Sequence, residues 1–371
     1  MLYLDHAATT PMRPGVWEAM TPYATDLFGN PSGSHGTSRR AKNDLEEARE
    51  RVAAHLGCAP AEIVFTGGGT EADNLAVKGP ALAAGKGGVV TVATEHEAVL
   101  ESAEFLRRLG HPVTVVGVDR FGRVDPAEVA AAVGPETAVV SVMAANNETG
   151  TLQPVAEVAA AVKAANPKVV VHTDAVQAFM LGVDVADLGV DLLTLAAHKF
   201  GGPKGVGVLY VRQGVALEPV LHGGGQEMGR RSGTVNVAGA VGMAAAMAAA
   251  ADDRDRFAVD VAEARRRFEA ALVGTAERTV PAEHTLVQHS HLRFPGVRNE
   301  TLLVRLDRRG VAAAAGSACQ SGATTPSHVL LAMGYTADEA RECLRFTFGW
   351  TTRPEDGDAA AALVLDALEG R

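Results

Sequence analysis

With 371 residues, the chain is too long for one ordinary hydrophobic core, and its length suggests one large domain with a smaller companion. Its 47% hydrophobic and 21% charged residues are typical of a folded globular protein, which excludes disorder over most of the length. The formal net charge of −10 argues against a nucleic-acid-binding surface, which is ordinarily basic, so we expect small molecules or proteins as partners.

We expect neither a leader peptide nor a membrane anchor. It opens directly on Met1 to Asp5 without a charged leader and apolar stretch, and no run approaches the roughly 18 apolar residues of a membrane span. The three cysteines, Cys58, Cys319 and Cys343, are too few and too scattered for a disulfide framework. We therefore expect a protein of the reducing cytoplasm, without membrane contact.

Short apolar runs alternate with helical patterns between residues 62 and about 211. The predicted strands are residues 63–65, 88–92, 113–116, 137–142 and 169–172. The predicted helices are residues 97–109, 126–133 and 154–165, two of them with a proline at or near the first turn. This alternation predicts a doubly wound α/β domain around a mostly parallel sheet. Ligands of such a domain bind beyond the carboxyl ends of the strands.

The rest of the chain does not show this regular alternation of strands and helices. An Ala- and Met-rich helix at 237–250 leads into a charged helix at 252–271, which either connects two domains or is one more packed helix. The mixed elements that follow predict a smaller α+β domain; they are a strand at 286–294, a helix at 300–306, small residues at 311–316, apolar residues at 344–348 and a helix at 355–368. We place the large domain at 16–250 and the small domain at 251–371, with residues 1–15 associated with the small one.

The segment from Thr66 to Glu71 follows a predicted strand, precedes a helical pattern and contains three consecutive glycines. Glycines allow backbone N–H groups to approach an anion closely, and the amino terminus of a helix favours negative charge. A phosphate would fit there. Taken alone, the pattern does not separate a phosphate site from an ordinary turn.

Two charged residues follow predicted strands further along the chain. Asp174 comes just after the strand that ends at residue 172, where it could pair with a protonated pyridine nitrogen or simply cap the next helix. Lys199 closes the apolar run at 192–195 and is flanked by glycines that leave room for a planar ring. The alternatives for it are an ordinary surface lysine, or Lys204 as the reactive one. Because Lys204 lies beyond a proline and closer to the next strand, we favour Lys199.

Ordered motifs of this kind run over nearly the whole chain. They are Tyr3 to Pro11, Phe28 to Ser32, Thr66 to Asn74, Thr94 to His96, Asn146 to Gly150, Asp174 to Gln177, His198-Lys199, His222 to Glu227, Arg231 to Thr234 and Gly316 to Cys319. Together they resemble the cysteine desulfurases of the nitrogen-fixation and iron–sulfur-assembly type, within the class V aminotransferase group of pyridoxal-phosphate enzymes. The resemblance implies the fold of that group and the conversion of L-cysteine to L-alanine.

The resemblance also implies roles for single residues. Lys199 would form the Schiff base with pyridoxal 5'-phosphate, His96 would stack on its ring, Asp174 would pair with the pyridine nitrogen and Gln177 would bond the phenolic oxygen. Asn147 would lie near that oxygen and near the substrate carboxylate.

Further implied contacts concern the phosphate and the substrate. Gly69, Thr70 and His198 would contact the phosphate, with Thr234 supplied by the second subunit of a homodimer. Arg345 would bind the substrate carboxylate through its planar fork.

Cys319 lies in a small, polar stretch from Gly316 to His328, a composition that predicts a mobile and accessible loop. A thiolate there could attack the sulfur of bound cysteine and carry it as a persulfide to an acceptor protein for iron–sulfur clusters or thiolation. Cys58 and Cys343 are interpreted as buried small hydrophobic residues. No second cysteine or closely spaced histidine accompanies Cys319, so a metal site is not expected.

The sequence departs from the family pattern in one place. Ala196 stands where a serine usually donates to the phosphate, and the loss of one hydrogen bond should weaken cofactor retention by about 1 kcal/mol. Two other activities on the same fold remain open, namely a selenocysteine lyase and a true class V aminotransferase. A catalytically silent scaffold subunit is the alternative from another class.

Overall fold

The computed structural model describes residues 1–316 and 325–370. The strands are β1 (Leu2–Tyr3), β2 (Ile63–Thr66), β3 (Gly88–Val92), β4 (Val113–Val116), β5 (Thr137–Ser141), β6 (Val170–Asp174), β7 (Leu192–Ala196), β8 (Gly207–Val211), β9 (Glu277–Arg278), β10 (His289–Arg293), β11 (Val311–Ala312) and β12 (Cys343–Thr347). The helices are α1 (Val16–Met20), α2 (Pro22–Thr25), α3 (Gly36–Leu56), α4 (Gly69–Ala83), α5 (Glu97–Arg108), α6 (Pro126–Ala131), α7 (Val155–Ala165), α8 (Val185–Leu188), α9 (Val237–Asp252), α10 (Arg254–Ala271), α11 (Asn299–Arg308), α12 (His328–Ala332), α13 (Ala337–Ala340) and α14 (Asp356–Glu369).

A seven-stranded sheet organises the larger part of the described chain, in the order β2-β8-β7-β6-β5-β3-β4. Strand β8 runs antiparallel to both of its neighbours, and the other pairings are parallel. Strands β3 and β7 are buried at every position, as expected for a sheet covered on both faces. The predicted α/β class with a mostly parallel sheet is confirmed.

The strand order creates a crevice between β3 and β5. After β3 the chain goes outward to the edge strand β4, and after β5 it continues in the opposite direction through β6, β7 and β8. The connections that leave β3 and β5 therefore diverge, and ligands of doubly wound sheets bind where such connections diverge.

The buried apolar side chains of the described residues include two large clusters. The first cluster surrounds the sheet and contains Met243 and Met247 of α9. The second cluster contains Phe268 of α10 together with Leu4 and side chains of β12 and α14. Since α9 and α10 meet near Asp253, this packing supports the predicted boundary near residue 250 and the association of the first residues with the smaller domain. The division into domains stays a prediction.

Several elements differ from the sequence-based expectation. Helix α3 was not predicted, because its apolar positions are separated by many charged residues. The expected strand at 286–294 is limited to β10, which pairs with β12 and β9. The small residues at 311–312 form β11, which pairs in parallel with β1. No described helix is both long enough and apolar enough to cross a membrane.

Candidate active site

A cavity of about 370 Å³ opens at the carboxyl ends of β3, β5, β6 and β7. Most of the side chains that the sequence marked for the site line it: Gly69, Thr70, His96, Asn147, Asp174, Gln177, His198, Lys199 and Arg345. They come from connections that are distant in sequence, and the shared edge of the sheet brings them together. Their assignment to particular roles stays a prediction.

Lys199 ends a short 3-10 helix, Ala197–Lys199, that directly follows β7. Its Nζ donates to the carbonyl oxygens of Ala7 at 2.6 Å and Ala8 at 3.0 Å. The N-terminal segment thus lies against the amine, which the sequence did not predict. Lys204, the alternative lysine, is exposed and does not line the cavity.

Asp174 is the last residue of β6 and is 5% exposed. One carboxylate oxygen accepts from the backbone N–H of Val176 at 2.9 Å. Burial raises the pKa of Asp174, while His96 and Lys199 act in the opposite direction. A cationic ring nitrogen beside this carboxylate would offset the cost of its burial.

Two further buried carboxylates lie close to Asp174, and the sequence reasoning missed both. Burial, reinforced by the negative charge of Asp174, raises the pKa of Asp73 and of Glu95 well above the ordinary range. Asp73 lines the cavity from α4. Its position one helical turn after Gly69, on the buried face of α4, is the sequence signal that could have found it.

The amino terminus of α4 forms another wall of the cavity. Its N-cap Gly68 has φ +145°, a conformation that other residues rarely adopt, and a Cβ added to Gly69 would lie 3.1 Å from Val176. Ala196 is buried beside this turn, 3.4 Å from the same added Cβ. The glycines therefore keep backbone N–H groups accessible at a helix amino terminus, which suits a phosphate.

His198 contributes a neutral ring to the same cavity. Burial, together with the charges of Lys199 and Lys204, lowers the pKa of His198 to about 4. Its Nδ1 lies 3.1 Å from the hydroxyl of Thr9, so the N-terminal segment also fixes this ring. A neutral imidazole can donate one hydrogen bond to a phosphate oxygen.

His96 is the N-cap of α5, and its Nδ1 accepts from the backbone N–H of Ala98 at 3.1 Å. Because Nδ1 is an acceptor here, a neutral ring carries its proton on Nε2. Gln177, on another wall, donates to the carbonyl oxygen of Ala7 at 2.9 Å. The ring of His96 and the side-chain amide of Gln177 are thus oriented before any ligand binds.

Arg345 lies on β12 and is 3% exposed. Its Nη1 donates to the carbonyl oxygen of Asn147 at 2.7 Å, and its Nη2 donates to the carboxylate of Asp5 at 2.7 Å. Asn147 and Arg345 line one end of the cavity together with Gly316. Asp5 belongs to the motif Tyr3 to Pro11 but was not predicted as a site residue.

Two predicted residues remain, Thr234 and Cys319. Thr234 is exposed on the surface and does not line it. Cys319 lies outside the described residues; of the described residues that flank it in sequence, Gly316 lines the cavity and Thr325 lines a second pocket. Burial raises the pKa of both other thiols, Cys58 and Cys343, to about 12, so neither is a thiolate at neutral pH.

The chemistry of the donors fits pyridoxal 5'-phosphate. A lysine for the aldehyde, a buried carboxylate for the ring nitrogen and a glycine-lined helix terminus for the phosphate meet in one cavity. The remaining buried carboxylate oxygens, Asp73 Oδ1 and Glu95 Oε2, accept no hydrogen bond within the described part of the chain. A cationic ring nitrogen beside Asp174 would lower the cost of burying this acidic cluster.

Comparisons with known proteins agree with this geometry. The aminotransferase class-V family model matches residues 2–359. The cysteine desulfurase IscS of Dictyoglomus turgidum is 42% identical over 99% of this chain and 93% of that protein. A solved NifS-like protein superposes with a TM-score of 0.94 at 37% identity, covering 100% of both chains. The solved structure of SspA in complex with cysteine superposes with a TM-score of 0.82 at 34% identity, covering 94% of this chain and 99% of the other. This chain therefore belongs to the aminotransferase class-V family and, within it, to the cysteine desulfurases of the NifS and IscS type.

Proposed function

We propose that the protein removes sulfur from free L-cysteine, releases L-alanine and collects the sulfur on Cys319 as a persulfide. The observation that carries the proposal is the convergence of Lys199, Asp174 and the glycine-lined turn with Arg345 in one cavity. The family is pyridoxal-phosphate dependent, and a structure of one neighbour, SspA, contains cysteine.

The residues that would hold the cofactor divide by the part that each one contacts. Lys199 would bind the aldehyde, Asp174 the ring nitrogen and Gln177 the phenolic oxygen. His96 would cover the ring, and Gly69, Thr70 and His198 would bind the phosphate. When bound, pyridoxal phosphate supplies an electron sink for the negative charge that develops at the substrate α-carbon.

The substrate enters a site whose polar groups are already oriented. Arg345 would bind its carboxylate, with Asn147 beside it, because a guanidinium fork matches a carboxylate in two hydrogen bonds. The amine of Lys199, held by the carbonyl oxygens of Ala7 and Ala8, would accept and return the α-proton. His96 presents an N–H on Nε2 as a second proton carrier.

The sulfur step balances without an external oxidant. The Cys319 thiolate attacks the sulfur of the substrate, an S–S bond forms, and the substrate C–S bond breaks. The bond electrons stay on the substrate carbon, which takes up a proton and becomes the methyl group of alanine. One L-cysteine thus gives one L-alanine and one Cys319 persulfide, from which a thiol reductant releases sulfide.

The test is to incubate the purified holoenzyme with L-cysteine and dithiothreitol and to measure alanine and sulfide together. We expect equal amounts from wild type, and neither product from Cys319→Ala, which should still retain the cofactor absorbance at roughly 400–430 nm. Cys58→Ala is the matched control and should keep the wild-type rate. Alanine without a need for Cys319, or no turnover by wild type, would contradict the proposal.

We also propose a homodimer in which Thr234 contacts the phosphate of the partner site. Leu221 and Met228 are exposed apolar side chains on the same loop as Thr234, and Phe28 is 73% exposed. Non-glycine residues Glu227 and Met228 hold left-handed conformations with φ 48° and 58°, which a loop keeps only under constraint. A constrained loop that exposes two apolar side chains, Leu221 and Met228, is expected of a subunit interface.

Subunit complementation tests the dimer. Lys199→Ala and Thr234→Glu would each be inactive, the second because it brings a negative charge to the phosphate. If Thr234 acts across the interface, mixed dimers contain one intact site, so refolding the two variants together should restore activity. Absence of restored activity, with mixed dimers verified by differential tags, would contradict the proposal.

Two further proposals concern the cell. The persulfide would pass to an acceptor protein that supplies iron–sulfur clusters or thiolation reactions. A pull-down with the persulfidated enzyme would identify this acceptor.

The location would be cytoplasmic, which is supported by the need of the Cys319 thiol for a reducing compartment.

A further inference from the structure

Asp5 contacts the buried guanidinium of Arg345 directly. The Nη2 of Arg345 donates to Asp5 Oδ1 at 2.7 Å, its Nη1 donates to the carbonyl oxygen of Asn147 at 2.7 Å, and its Nε has no partner among the described residues. A guanidinium has five N–H donors in a planar fork, so these two bonds fix the plane and leave the others for a ligand.

We propose that Asp5 is a positioning residue, which sets the orientation of Arg345 for the carboxylate of the substrate. The inference rests on the proposed function and extends it to a residue in the N-terminal segment. Asp5 does not line the cavity, so it acts through Arg345 and not on the substrate.

The backbone holds Asp5 in register with the strand that carries Arg345. Thr347, two residues after Arg345 on β12, accepts from the N–H of His6 at 3.3 Å and donates its own N–H to Leu4 at 2.7 Å. The hydroxyl of Tyr3 donates to the carbonyl oxygen of Asp5 at 3.0 Å. Backbone pairing between Asp5 and Thr347 therefore fixes the position of the Asp5 carboxylate. Its hydrogen bond to the guanidinium then costs little additional conformational entropy.

The charges around Arg345 indicate why Asp5 carries this role. The neighbouring rings of His289 and His291 are neutral, since burial, with a contribution from Arg345, lowers the pKa of both. Glu148 is a nearby carboxylate, but it accepts from the hydroxyl of Ser327 at 2.6 Å. Asp5 is thus the anion in direct contact with a guanidinium that would otherwise be buried with an uncompensated charge.

The pairing has a consequence for the reaction cycle. Cysteine, the substrate, and alanine, the product, each present an α-carboxylate to Arg345. Because Asp5 already neutralises the guanidinium, an incoming carboxylate meets an oriented fork and not an isolated cation. The orientation of the fork should therefore govern the binding of both molecules, so its loss should weaken the binding of cysteine and of alanine together.

Three substitutions at Asp5 separate orientation from general stability. Asp5→Ala removes the acceptor, and we expect the KM for L-cysteine and the inhibition constant of L-alanine to rise about tenfold with kcat within threefold. Asp5→Asn keeps an oxygen acceptor, so its KM should stay at or below the wild-type value. Asp5→Glu moves the carboxylate by one methylene and should raise KM. Asp187→Ala, an exposed aspartate outside the cavity, is the matched control with unchanged KM and kcat.

A merely structural role predicts a different pattern. Both Asp5→Ala and Asp5→Asn would then lower the melting temperature and the fraction of active enzyme, which reduces kcat without raising KM. An unchanged KM in Asp5→Ala would overturn the inference, and so would an Asp5→Asn variant as impaired as Asp5→Ala. If Asp5→Ala does not fold, the contrast between Asp5→Asn and Asp5→Glu gives the same decision.

Crystal structures of the Asp5→Ala and Asp5→Asn holoenzymes give a readout that does not depend on turnover. We expect the guanidinium of Arg345 to be displaced in the alanine variant and to overlay the wild type in the asparagine variant. An undisplaced guanidinium in Asp5→Ala would overturn the role of Asp5. Failure of the proposed function would instead appear as wild-type enzyme that makes no alanine from L-cysteine.

Discussion

The buried ion pair of Arg49 and Glu227 gives a stability prediction that can be worked out from its contacts. Arg49 Nη1 and Nη2 donate to the two carboxylate oxygens of Glu227, each at 2.8 Å, and both side chains are nearly inaccessible. Glu227 also accepts from the backbone N–H of Phe65 at 2.8 Å, and Arg49 donates to the carbonyl oxygen of Ile63 at 2.7 Å. The pair thus ties α3 and β2 to the exposed loop that contains Thr234.

Arg49→Met leaves the Glu227 carboxylate buried with one backbone partner and without its hydrogen-bonded counterion, while Arg231 acts on it only through its charge. Removing one member of a buried pair costs about 3–5 kcal/mol, so the free energy of unfolding in guanidinium chloride should fall by that amount at unchanged m-value. The double variant Arg49→Met with Glu227→Met removes both charges and should cost less than the sum of the two single changes. A loss below about 1 kcal/mol in Arg49→Met, or strictly additive effects, would refute this reasoning.

Three other predictions concern the cofactor and pH. Ala196→Ser adds a hydroxyl beside Gly69 and should slow cofactor loss on dilution about fivefold, equivalent to about 1 kcal/mol, as followed by absorbance. Asp174→Asn removes the proposed charge partner of the ring nitrogen and should raise the dissociation constant of pyridoxal phosphate, measured by fluorescence titration. Burial lowers the pKa of His172 to about 3 from an ordinary 6.5. Between these two pH values the unfolded chain binds a proton at His172 and the folded protein does not, so the free energy of unfolding should fall as the pH drops from 6.5 towards 3. His172→Gln should make this fall, measured by denaturant titration at pH 7 and pH 5, less steep.

The sequence was most informative where strands end. Asp174 and Lys199 follow apolar runs, and parallel strands direct their carboxyl ends to one edge of a sheet, so local patterns sufficed to predict that these side chains meet. The antiparallel direction of strand β8 was not predicted, because nothing in its residues distinguishes a parallel from an antiparallel strand.

Other parts of the site depend on tertiary contacts that leave no local trace. Asp73 lies at a buried position of α4, which the sequence pattern could indicate, but its interaction with Asp174 arises only when α4 packs against the sheet. Asp5 acquires its partner from β12, hundreds of residues away, and the carbonyl oxygens of Ala7 and Ala8 reach Lys199 only through the folded backbone. Backbone acceptors are common to all residues, so no sequence pattern can mark them.

The N-terminal segment links the two hydrophobic clusters at the cavity. Its carbonyl oxygen at Ala7 accepts from Lys199 and Gln177, which belong to connections of the large sheet, while Asp5 binds Arg345 on β12 of the second cluster. In the proposed reaction Lys199 and Arg345 act on the same α-amino acid, so the enzyme must keep these two side chains at one fixed separation. A change of this separation by one ångström can cost a hundredfold in rate. A short segment that is hydrogen-bonded to both side chains fixes that separation directly. This requirement accounts for the many hydrogen bonds made by residues 5–10.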